Sequence, residues 1–373
     1  MNHFFSRNSL INSLGWKTNR KILVIESDDW GSIRTPSNVA LNNLRSEGIP
    51  VDRCNYMLND ALENAADLTR LFETLEKFKD KNGHPALITA NTIVANPNFD
   101  KIENRDFKQY FYEPFTSSYS KYQSQSDAFS TLKEGIERKL FWPQLHGREH
   151  VNVSRWMRDL KNGVPETKLA FDHKFSGISS HVAKAKRGSY QAAFDGGDRE
   201  TSYDKSEILN DAVSLFKSIF NFYPKSFIAP NYIWDDNIEH AAAKQGIQFF
   251  QGTRTQKLPK DFGDKLKTQK HYLGQKNQLG QRYLIRNASF EPSLNPNHDE
   301  VSTCVSSITN AFLWKVPAIV STHRVNYIGS LNPLNAEDGL KKLSELLKTI
   351  IQKWPEVEFM TSDQLGNLIE NKV

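Results

Sequence analysis

Two histidines stand four residues apart in Phe141-Trp142-Pro143-Gln144-Leu145-His146-Gly147-Arg148-Glu149-His150. Imidazole is a common ligand for a borderline-soft cation such as zinc. On a helical turn, positions i and i+4 share a face, so His146 and His150 could grip one ion. Such a pair also arises by chance in a chain with 10 histidines, so its company decides its meaning. Glu26, Asp28 and Asp29 follow the apolar run Lys21–Ile25. Carboxylates crowded in this way repel, and their pKa values rise unless a cation neutralises them. Pro230-Asn231-Tyr232 and Ser321-Thr322-His323 complete the set of polar clusters. Two His nitrogens and one Asp oxygen leave a coordination position open, as catalytic zinc sites do. A second Asp is then free to act as a base and His323 as an acid.

Positioning these residues requires strands that end where they begin. Short apolar runs at Lys21–Ile25, Pro85–Asn91, from Phe141, Ser226–Ala229, Ile247–Phe250, Tyr283–Asn287, Pro317–Val320 and Val357–Met360 read as buried strands. Helical periodicity is read over Ser37–Ser46, Asp60–Lys79, Ser126–Lys139, Lys205–Phe220, Ile238–Gln245 and Ala336–Lys353. This alternation predicts an α/β fold, a distorted (β/α)7–8 barrel of parallel strands. The whole chain, 1–373, reads as a single domain, with a long insertion at about 151–200 after the third strand. The aromatic stretch 97–125 reads as a loop over one face. In a parallel barrel the C-terminal strand ends share one face, so Asp28-Asp29, His146/His150, Pro230-Asn231-Tyr232 and His323 converge there.

In this order the motifs resemble those of the polysaccharide deacetylase (NodB homology) superfamily, metal-dependent carbohydrate esterases on a distorted (β/α) barrel. Glu26-Ser-Asp28-Asp29-Trp30 is similar to its Thr-Phe-Asp-Asp-Gly, and His146-Gly-Arg-Glu-His150 to its His-Ser/Thr-x-x-His. Ala229-Pro230-Asn231-Tyr232 stands for Arg-x-Pro-Tyr, and Val320-Ser-Thr-His323 for its Leu-x-His. The resemblance spans about residues 20 to 325. It implies that Asp29, His146 and His150 hold a divalent ion, Zn2+ by default, with Co2+, Ni2+ or Mn2+ open. It implies Asp28 as base, His323 as acid and the backbone N–H of Tyr232, beside Asn231, as oxyanion donor. Trp234 and the aromatics of 110–122 are available to stack on a sugar. The departures are Trp30 for a glycine, Gly147 for a hydroxyl residue, no fourth motif and no third-motif arginine. Arg254 or Arg199 is left to supply that charge.

The implied activity is removal of an N- or O-acetyl group from a carbohydrate. Two rivals stay open: a barrel that binds glycan or metal without turnover, and an inverted-zincin peptidase using His146, Glu149 and His150. The net charge of +5 is mild and unclustered, which argues against a nucleic-acid partner. Two cysteines make no disulfide framework. No apolar run is long enough for a membrane span, and peripheral contact stays open. The N-terminus lacks a signal-peptide pattern, so the expectation is a cytoplasmic protein.

Overall fold

The computed structural model describes residues 12–122, 127–197 and 203–371. Its main sheet is built from β1 (Ile22–Trp30), β2 (Ile88–Ile93), β3 (Phe141–Gly147), β4 (Ser226–Phe227), β5 (Phe249–Gly252), β6 (Arg282–Ile285), β7 (Ala288–Ser289), β8 (Ala318–His323) and β9 (Glu358–Phe359). Every pairing among them is parallel, in the order β6-β5-β4-β3-β2-β1-β8-β7, with β9 on the start of β1. The two ends of this path are successive pieces of one extended stretch. Arg286 donates its N–H to Gly252 of β5, and Asn287 donates its own to Ile319 of β8. These bonds close the sheet into the distorted parallel barrel that the alternation of elements predicts. β1 is buried along its whole length, as its unbroken apolar start requires.

Helices Ala65–Glu76, Ala128–Glu137, Lys205–Phe220, Asp236–Lys244, Glu300–Leu313 and Pro333–Lys353 surround the sheet. Leu68, Leu71, Phe72 and Leu75 of the first form its buried face, joined in one core with Ile88 and Phe141 of the strands.

Two expectations are corrected. The helix read over Asp60–Lys79 starts only at Ala65, because Asn64 and Asp67 form a capping box there. Asp60 and Glu63 stay outside it, and both carboxylates bind the fully buried guanidinium of Arg324. The stretch 97–125 is not a plain loop. It holds helices Phe99–Glu103 and Phe115–Tyr122 and a strand, Tyr112–Pro114, antiparallel to Ala95–Pro97. Tyr110, Phe115 and Tyr119 are buried there, so these rings pack the core and offer no sugar platform. Within 151–200 the chain forms two helices, Val153–Lys161 and Pro165–Asp172. Ala170, Phe175, Ile178 and Val182 share a small core with Leu41, Leu44, Val51 and Met57. The insertion is therefore packed against the barrel's first connection. The helix Glu300–Leu313 had no counterpart in the sequence reading.

Candidate metal and active site

The barrel register brings the two proposed proton-transfer groups together before any side chain is considered. Asp28 lies opposite His323 in the pairing of β1 with β8. Both ligand-bearing strands are irregular at the ligand. The β1–β2 register shifts between Ser27 and Trp30, and the β2–β3 register shifts where Ile93 pairs with Gly147, past His146. Bulges of this kind re-aim side chains near active sites. Asp29 (φ 76°), Asn231 (φ 59°) and Tyr232 (φ 60°) hold left-handed backbone, a strain that clusters at functional sites. Gly147 has φ 129°, a conformation closed to L residues, which is why no hydroxyl residue stands there. The glycine expected at Trp30 is found one place on. Gly31 has φ 80°, and a Cβ on it would lie 2.4 Å from the Ile93 carbonyl oxygen.

Asp29 Oδ1 lies 3.3 Å from Nε2 of His146 and 3.3 Å from Nε2 of His150. Nδ1 of His146 donates to the Ile228 carbonyl at 2.9 Å, which orients the ring with Nε2 towards Asp29. Burial pushes the His150 imidazole down to about 3, which leaves it neutral. Asp29 Oδ1 is buried and accepts no hydrogen bond. Three possible ligand atoms therefore converge. Ligands bound at ~2.0–2.1 Å on a tetrahedron lie about 3.3 Å apart, so the donor set fits a small divalent cation. His146 is on a strand and His150 in the loop after it, not on a helical turn.

Asp28 is held by a residue that the sequence reading missed. Arg286, at the join of β6 and β7, donates to Asp28 Oδ1 at 2.6 Å and Oδ2 at 2.7 Å, and to Glu26 at 2.6 Å. Asn91 of β2 adds a bond to Asp28 Oδ1 at 2.8 Å. Burial alone would raise the Asp28 carboxyl, but Arg286, with His146 and His323, outweighs it and holds it at about 2. This is the cation that the crowded carboxylates demanded. Its signal was present, since Arg286 sits near the end of the strand read at Tyr283–Asn287. Arg254 was the expected source, and it does not line the site's cavity. Arg199 lies outside the described residues.

His323 has a partner with no motif of its own. Its Nδ1 is 2.6 Å from Glu291 Oε1, and its Nε2 is 3.8 Å from Asp28 Oδ2. Asn326 donates to the other Glu291 oxygen at 2.8 Å and fixes the carboxylate. Burial would lower the imidazolium pKa, but Glu291, Asp28 and Asp29 outweigh it and hold it well above the usual histidine range. Across neutral pH the site thus pairs an ionised carboxylate with a protonated imidazole.

Three further assignments change. The Tyr232 N–H donates to the Ala229 carbonyl at 2.9 Å, so it is engaged within its own turn. Asn231 and Tyr232 do line the cavity, and the Tyr232 hydroxyl accepts a bond from Arg286 at 3.0 Å. Trp234 is 1% exposed, stacks on Phe250 and donates to Glu239, so it belongs to the core. Glu149 is also buried and forms both its oxygens' bonds with Arg148, at 2.6 and 3.0 Å. An inverted-zincin site needs a helix and a free glutamate base, and this segment has neither.

No family model matches the chain, and no curated protein does. Among solved structures it is similar to a putative polysaccharide deacetylase from Mycobacterium smegmatis, with 11% identity and TM-score 0.43 over 96% of this chain and 94% of that one. A peptidoglycan deacetylase from Bacillus subtilis gives 10% identity and TM-score 0.39 over 95% and 93%. A 4-alpha-glucanotransferase from Thermococcus litoralis gives 8% and 0.45, and there the chain spans 93% of itself but 40% of the other protein. Likenesses of this size bear on no residue's role, which rests on the geometry above.

Proposed function

We propose that the protein is a metal-dependent hydrolase that removes an acyl group from a carbohydrate. The observation that carries this is the convergence of Asp29 Oδ1 and the His146 and His150 Nε2 atoms, with the buried oxygen unpartnered, beside the Asp28–His323 pair. Asp29, His146 and His150 would hold the ion, Zn2+ by preference. When bound, it supplies a Lewis acid for the acyl carbonyl and acidifies a water. Asp28, ionised and set by Arg286 and Asn91, accepts the proton of the attacking water. His323, protonated and oriented by Glu291, gives a proton to the leaving nitrogen or oxygen from Nε2. Because Arg286 donates to the Tyr232 oxygen, the hydroxyl proton is left to point at the developing oxyanion.

The test is acetate release from N-acetylated and O-acetylated sugars. A chelator is expected to abolish it and added zinc to restore it. A chain that binds one metal ion tightly yet releases no acetate from any such sugar would sink the reading. Glu149→Gln separates the peptidase alternative. With only the half-exposed Asp211 left as a charge partner for Arg148, the variant is expected to lose about 1–3 kcal/mol of stability. Its acetate release per folded molecule should stay within a few-fold of wild type, since Glu149 faces Arg148 and not the triad.

A further inference from the structure

The cavity above the triad has a volume of about 370 Å³, and its wall carries two cations that the proposed reaction does not use, Arg34 and Lys257. Among the described residues, neither side-chain cation makes an ion pair or a hydrogen bond. Their neighbours behave differently. Arg286, Arg324 and Arg148 are each clamped by carboxylates. Arg34 instead lies over the Tyr56 ring, 4.8 Å from its centroid, and Tyr56 meets the His323 ring edge-on at 5.6 Å. That puts one cation on the side of the proposed acid. Lys257 bridges Ile233, next to Tyr232, which puts the other on the side of the 230–232 turn.

The carboxylates on the cavity floor do not balance these charges. Asp28 is matched by Arg286, and Asp29 belongs to the ligand set. Both cations are only half-buried, close to low-dielectric walls that strengthen their field. Arginine's planar fork suits phosphate and carboxylate groups alike.

We infer that the substrate is an acylated carbohydrate bearing an anionic substituent, a phosphate or a carboxylate, which Arg34 and Lys257 receive. This rests on the site proposed above and names its substrate class. The test uses zinc-loaded full chain and two measurements. The first is calorimetric binding of glucosamine and glucosamine 1-phosphate, which carry no acetyl group to lose. The second is acetate release from N-acetylglucosamine, its 1-phosphate and its 3-O-lactyl ether, which separate the neutral, phosphate and carboxylate cases. A preference for an anionic sugar of about tenfold or more is expected, from the strength of charged hydrogen bonds. In Arg34→Gln and Lys257→Gln that ratio should fall towards one, and Arg34→Lys should recover part of it. Thermal melts within a few degrees of wild type would show that the variants fold. If phosphate binding is the same in all variants, the anion sits on the metal alone and the inference falls. Equal acetate release from all three sugars overturns it while leaving the hydrolase reading intact. Binding preference that depends on Arg34, with no acetate from any sugar, supports it and overturns the hydrolase.

Discussion

Asp28→Asn is expected to lower acetate release by roughly 10²- to 10³-fold while leaving the bound metal in place. The substitution keeps the side-chain shape and one oxygen for Arg286 and Asn91, but removes the proton acceptor. General-base removal can cost up to 10⁴. The lower end is expected here because Arg286 holds Asp28 at about 2, which makes it a weak base. Its value lies in being ionised, fixed and 3.8 Å from the proposed acid. Asp29, His146 and His150 are untouched, so metal content by mass spectrometry should remain at one per chain. Turnover within tenfold of wild type, with metal retained, would show that another group takes the proton.

The barrel was legible because its strands are short apolar runs and several of its helices carry a clean apolar stripe. Lys205–Phe220 is the helix read from spacing, to the residue. The converging clusters were legible for the same reason, since each closes a buried strand. What escaped were residues without a pattern. Glu291 is a lone acid beyond β7, and only the closed sheet brings it beside His323. Arg286 was sought where a linear motif would put it, at the 230–232 turn. The fold supplies a cation from the strand that closes the barrel. A carboxylate pair that needs a cation constrains where the charge must stand, not which strand carries it. Trp234 failed in the opposite sense. Its place just past a strand end suggested a platform, but stacking on Phe250 and a bond to Glu239 spend both its face and its N–H.

Arg286→Met therefore carries the largest expected loss of stability. The guanidinium is fully buried between Glu26 and Asp28, and it also donates to Ser321 Oγ at 3.0 Å. Removing one side of a buried ion cluster strands the other, at a cost of about 3–5 kcal/mol. The pH dependence has a definite sign. In wild type the folded Asp28 pKa lies below its unfolded value, so it adds stability of ~2 kcal/mol above the ordinary carboxylate range. That contribution is lost as pH falls through about 2. Without Arg286, the main counterweight to burial is gone for both Asp28 and Glu26, and both rise. Each then favours folding only while protonated, and the stability they allow is lost as pH rises through the raised values. Urea unfolding of metal-free protein should thus give the largest difference between variant and wild type near about pH 8, narrowing towards about pH 4. The acid limb of the activity profile should move to higher pH in parallel, because the base now protonates sooner. A difference that stays constant between those two pH values would mean that Arg286 holds the barrel by packing alone, and that the Asp28 charge is set by something else.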